Sequence, residues 1–143
     1  MASMLLEMSL ETTHREREGI AILDLNGSLT FGQEDLEFRN ELDRLTKAGE
    51  TRVLLNLSGL QKLDNVGMGT LLFAQANLRE AGGNLAIFIA KPSQVALVTE
   101  AHLEAVFEVF HDEQDAINSF FPGRSIERFD VLELVKSPAN ADI

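Results

Sequence analysis

The chain has 143 residues, enough for one domain and too few for two adequate cores. A composition 45% hydrophobic and 24% charged is that of a globular protein and not of a disordered one. Twelve Lys and Arg against 23 Asp and Glu leave a net charge of −11, which argues against nucleic-acid partners, and the absence of cysteine excludes disulfides, thiolate chemistry and cysteine-ligated metals.

Met1 to Glu7 carries no basic n-region, and its apolar run stops at Glu7, so no secretory signal is read there. No apolar stretch approaches the roughly 20 residues of a membrane span. A cytoplasmic protein without direct membrane insertion is expected.

Leu5 to Thr13 mixes polar and apolar residues and runs into a charged turn, His14-Arg15-Glu16-Arg17-Glu18, closed by Gly19. Ile20 to Leu25 follows with a strand pattern, bounded by Asn26-Gly27. The pair predicts an antiparallel hairpin, with Gly27 taking a positive φ to leave the second strand. From Gln33 to Ala48, Phe38, Leu42 and Leu45 recur at i, i+4 and i+7, which predicts a helix. Glu34, Asp35, Glu37, Glu41 and Asp43 fall on its other faces and first turn. Thr30 and Gln33 have capping-box spacing, and Gly49 stands at the stop position. Arg52 to Leu57 is nearly all apolar, as in a strand buried on both faces.

Ser58 to Gly69 leads into a helix from about Val66 to Ala81, ended by Gly82-Gly83. Asn84 to Ile89 reads as a buried strand, Ser93 to about His102 as a helix, and Val106 to Phe110 as a short strand. Asp112 caps a last helix through Ala116, Ile117 and Phe120, ended by Pro122-Gly123. The order β-β-α-β-α-β-α-β-α predicts an α/β domain with a mixed, mostly parallel sheet of four to five strands and about four helices. The domain is assigned to 1–121 and a C-terminal extension to 122–143. Within the extension Phe129 to Lys136 has strand character and the last seven residues look disordered. Its apolar side chains need burial, either against the domain's own sheet edge or in a homodimer, and the homodimer is the expectation.

The three histidines, at 14, 102 and 111, lack a partner at ligand spacing. Neither a nucleophile elbow nor a phosphate-binding loop is present. Gly67-Met68-Gly69 is half of a dinucleotide fingerprint, but the third glycine falls at Leu72. No catalytic residue, metal site or cofactor is assigned. One loop stands out: Asp64 and Asn65, then two glycines opening a helix at the carboxyl edge of a parallel sheet. It reads either as capping with close glycine packing or as a partner-recognition loop. From Glu80 to Ser119 seven acids (Glu80, Glu100, Glu104, Glu108, Asp112, Glu113, Asp115) face one base, Lys91. They read as a solvated face or as a docking surface flanking Asp64.

Leu54-Leu55-Asn56-Leu57-Ser58-Gly59-Leu60 followed by Leu63-Asp64-Asn65-Val66-Gly67-Met68-Gly69-Thr70-Leu71-Leu72 resembles the signature of the STAS domain, shared by sulfate transporters and bacterial anti-sigma factor antagonists. Gly27 through Leu29 and Gly82-Gly83-Asn84-Leu85 match further family positions. In antagonists of this family the second serine of Asp-Ser-Ser-Gly is phosphorylated by a kinase-like anti-sigma factor, and the added charge breaks the complex. Here the Asp is Asp64, the first Ser is Asn65 and the second is Val66, which has no hydroxyl. The resemblance therefore implies no phosphosite at the family position. Asn56, where the family usually has Asp, is a second departure.

The expected function is a non-enzymatic protein-interaction module resembling an anti-sigma factor antagonist. It would bind an anti-sigma factor or related regulator through Asp64, Asn65, Val66, Gly67, Met68, Gly69, Thr70 and the helix that follows. The alternative is a regulatory STAS subunit of a membrane transport complex.

Overall fold

In a computed structural model, which describes residues 9–90 and 102–124, the chain opens with an antiparallel hairpin. Strand β1 (Leu10–Arg17) turns through Glu18 and Gly19 into β2 (Ile20–Leu29). Both turn residues have positive φ, 52° and 80°, as a two-residue hairpin requires. The hairpin is as expected, but His14 to Arg17 belongs to β1 and not to the turn. The side chains of Arg15 and Arg17 bond to residues packed beside the strand, so their charge does not end it. Gly27 does have a positive φ, 109°, yet β2 continues two residues further. The glycine sits at an irregularity in the register with the next strand.

Helix α1 (Gln33–Lys47) buries Phe38, Leu42 and Leu45, the stripe that the periodicity marks. Two details differ from the sequence reading. The residue preceding the helix is Gly32, with no side-chain cap, so Thr30 and Gln33 form no capping box. Asp35 is buried instead of lying on an outer face, because it turns towards the next helix. Strand β3 (Arg52–Leu63) runs past the expected end at Leu57. Its second half pairs with the extension of β2, Gly27 with Leu60 and Leu29 with Leu63.

Helix α2 (Asn65–Glu80) returns the chain to β4 (Asn84–Phe88), parallel to β3. After the next described residues come α3 (Leu103–Val106), β5 (Val109–Phe110) and α4 (Glu113–Asn118). Val106 ends a helical turn and does not start a strand, which shortens the last strand to two residues. The helix expected from Ser93 lies almost wholly outside the described residues, as does the strand expected at Phe129 to Lys136.

The sheet order is β1-β2-β3-β4-β5, antiparallel at the first pair and parallel thereafter. Alternation along the strands divides the core into two layers. Leu23, Leu25, Val53, Leu55, Leu85 and Ile87 face α1, α2 and α3. Ile20, Ile22, Leu54, Ala86 and Phe88 face Ala116 and Ile117 of α4. Each fully buried Leu or Phe contributes about 1.5–3 kcal/mol of transfer free energy. Consequently α1 and α2 share one side of the sheet, with α4 on the other.

Candidate functional site

The segment singled out in the sequence begins where β3 ends. Asp64 is the N-cap of α2: its Oδ1 accepts a hydrogen bond from the Gly67 N–H at 2.8 Å. Its Oδ2 accepts from the Phe31 N–H at 2.9 Å, which fixes the loop between β2 and α1 against the start of α2. Partial burial pushes this carboxyl's pKa up, but the N–H groups of Gly67, Phe31 and Val66 outweigh it and hold it below the usual range. Asp64 is therefore ionised at neutral pH and committed to the backbone.

Gly67 is buried, and a Cβ there would come within 2.2 Å of the Leu29 carbonyl oxygen. The glycine lets the first turn of α2 pack on the end of β2. Gly69 differs entirely: it is exposed, with nothing within 4 Å of a built Cβ. Asn65 is exposed, Val66 half-buried, and Met68 packs against the core. Thr70 is only 2% exposed; its hydroxyl donates to Asp35, and the Arg39 Nε–H reaches both Asp35 and Thr70 at 2.9 Å. These three side chains fasten α1 to α2 beneath the loop. Of the seven candidate residues, then, Gly67 and Thr70 shape the site from inside, while Asn65, Gly69 and parts of Asp64 and Val66 form its surface. Ser58 and Thr70, the hydroxyls nearest Val66 in the sequence, are buried and bonded; the Ser58 Oγ accepts from the Ala90 N–H at 2.8 Å.

Sequence reasoning missed three exposed apolar side chains, Phe31 beside this loop and Leu36 and Phe73 at a groove between the two helices. Phe31 is 79% exposed, Phe73 64% and Leu36 52%. Leu36, Asn40, Phe73, Ala74 and Asn77 line a groove of about 460 Å³ between α1 and α2. The available signal was negative: Leu36 and Phe73 are large apolar residues off the buried stripes of their helices. The outward face of α2 carries Asn65, Gly69, Leu72, Phe73, Ala76 and Asn77, and no charge stands in the helix before Arg79.

The acids of α4, and Glu80, do not assemble beside Asp64. Asp112, Glu113 and Asp115 belong to α4 and its cap, on the opposite side of the sheet. Glu113 is also engaged by Arg15 and Arg17. Glu80 stands at the far end of α2, roughly 24 Å along the helix from Asp64 at 1.5 Å per residue. The reason is topological: residues close in sequence are distributed to both layers. Among the described residues, no group of three or more His, Asp or Glu could hold a metal ion, and no helix is long and apolar enough to cross a membrane.

Residues 11–116 match the family model of the STAS domain. A curated relative, the anti-sigma F factor antagonist of Paenibacillus polymyxa, is 23% identical over 111 residues, covering 77% of this chain and 94% of its own. The crystal structure of an anti-sigma factor antagonist from Mycobacterium paratuberculosis superposes with a TM-score of 0.65 at 15% identity, over 78% of this chain and 94% of that one. A sulfate transporter family protein from Wolinella succinogenes gives 0.54 at 19% identity, over 73% and 87%. At such identities the structural likeness speaks for the fold.

Proposed function

This chain belongs to the STAS domain family, and on that premise we propose that it is a non-enzymatic, cytoplasmic interaction module that binds an anti-sigma factor or a related regulatory protein. The docking surface is the Asp64 loop with the outward face of α2, extended by Phe31 and Leu36. The observation that carries this reading is the uncharged, partly apolar α2 face on a chain with 23 acidic residues. Interface centres are depleted of charge and enriched in aromatic side chains, whereas a solvated helix face is charged. Similarity to antagonists of anti-sigma factors supplies the class of partner. With valine at the family's phosphorylated position, binding is not switched there by phosphate.

The test is affinity capture from the native cell extract with wild type and a Phe73→Asp variant, whose exposed site leaves folding intact. Wild type is expected to retain an anti-sigma factor or a kinase-like regulator, and the variant to lose it. Equal retention by both proteins removes the α2 face from the interface. Recovery of permease or transport ATPase subunits in place of a sigma regulator selects the transport-complex reading.

A further inference from the structure

The groove between α1 and α2 contains a cation whose bonding capacity is only half used. Its volume of about 460 Å³ falls within the roughly 300–1,000 Å³ of small-molecule sites. Leu42, Ala74 and Leu78, all buried, give it an apolar lining, and the largely exposed Leu36 and Phe73 border it. An apolar residue exposed singly needs no account, but two on one concave apolar recess do.

Arg39 lines the same groove, with its side chain 48% exposed. Its Nε–H is committed to Asp35 Oδ2 and to the Thr70 hydroxyl, both at 2.9 Å. Asp35 Oδ1 accepts from Thr70, so both oxygens of that carboxylate are in use. Among the described residues, Nη1 and Nη2 of Arg39 bond to no protein group. That end of a guanidinium is a planar pair of donors, which takes a carboxylate through two parallel hydrogen bonds. Asp35 and Thr70 already hold the head of the side chain, so little freedom is lost on binding.

We propose that this groove binds a small monocarboxylate carrying a hydrocarbon chain. The carboxylate sits on Nη1 and Nη2 of Arg39, and the chain lies over Leu42, Ala74 and Leu78. Charge selects a single negative group. Asp43, also in the lining, pairs with Lys47 at 2.8 Å, and Asp35 pairs with Arg39, so no surplus positive charge remains for a dianion such as a phosphate monoester. Length selects a medium chain, because Arg39 and Thr46 lie roughly 10 Å apart along α1 at 1.5 Å per residue. A partner helix, about 10–12 Å across, would lie over this recess without filling it. The inference stands apart from which protein docks on α2.

Titration of the full chain with sodium octanoate, followed by amide chemical shifts in NMR, tests this. Wild type is expected to show saturable shifts at Leu36, Asn40, Phe73 and Asn77. Octan-1-ol has the same chain without the charge, and should bind at least about tenfold more weakly through loss of the charge-assisted bonds. Arg39→Met should lose a similar factor for octanoate and leave octan-1-ol unchanged. The alcohol comparison uses wild type alone, so it decides the role of the carboxylate even if Arg39→Met fails to fold. Four results overturn the proposal: no saturable shift in wild type, shifts centred outside the groove, equal affinity for octanoate and octan-1-ol, or undiminished octanoate binding by folded Arg39→Met.

Discussion

The carboxylate of Asp64 and the backbone N–H of Phe31, 33 positions apart in the sequence, are joined by a 2.9 Å hydrogen bond. The same carboxylate caps α2 through Gly67. One side chain thus sets both the start of the helix and the backbone position of Phe31, the most exposed aromatic residue among the described residues.

That double role predicts a split between two substitutions. Asp64→Asn keeps an acceptor of similar reach and should fold with nearly the wild-type stability. Asp64→Ala should cost about 1–2 kcal/mol, the usual loss for an N-cap. Urea denaturation followed by circular dichroism checks this; an alanine variant as stable as wild type would show that the cap is dispensable.

The two motif glycines should respond in opposite directions. Gly67→Ala forces a Cβ against the Leu29 carbonyl, an overlap that backbone cannot relieve cheaply, and should destabilise by roughly 1–3 kcal/mol or more. Gly69→Ala meets open space on a helix and should stabilise by up to about 1 kcal/mol. Thermal unfolding of the two variants side by side reads the sign directly.

On the other side of the sheet, Arg15 joins Asp24 at 2.7 Å and also binds Glu113. Hydrogen bonds from Arg15 hold the Glu113 carboxyl below its usual range. Burial pushes Asp24 up, but bonds from Arg15 and Asn56 outweigh it and lower that carboxyl too. Depressed carboxyl values add stability that is complete above the unfolded values, 3.8 for Asp and 4.5 for Glu, and lost as pH falls through the folded ones. Arg15→Met should therefore destabilise most at neutral pH. Its deficit should shrink below about pH 4.5, as read from denaturation midpoints across a pH series.

Val66 lies half-buried in the first turn of α2 and has no hydroxyl. Val66→Ser should keep the fold and create a substrate for a kinase-like anti-sigma factor, while wild type stays unlabelled by radioactive phosphate. Label on wild type at Ser58 or Thr70 would mean that these buried hydroxyls become exposed.

Much of this protein is legible in the sequence because its signals are local. The period of Phe38, Leu42 and Leu45 gives α1, the apolar run at Val53 to Leu57 gives a doubly covered strand, and Asp112 caps its helix as placed, while of the two cap candidates Asp64 and Asn65 it is Asp64 that caps α2. Misplaced features depend on a distant partner. Strand β3 lengthens because β2 does, and Asp35 is buried because Thr70 faces it.

By itself the sequence determined the alternation of strands and helices, the STAS signature and the absence of a hydroxyl at position 66, since each is written in residue type and spacing. Only the tertiary structure decided which side chains share a surface. It separated the acids of α4 from Asp64 by putting the sheet between them, held Phe31 against Asp64, and set Leu36 and Phe73 on one groove between α1 and α2. The physical reason is that neighbourhood across a sheet depends on strand order and face, and neither is encoded in the distance between two residues along the chain.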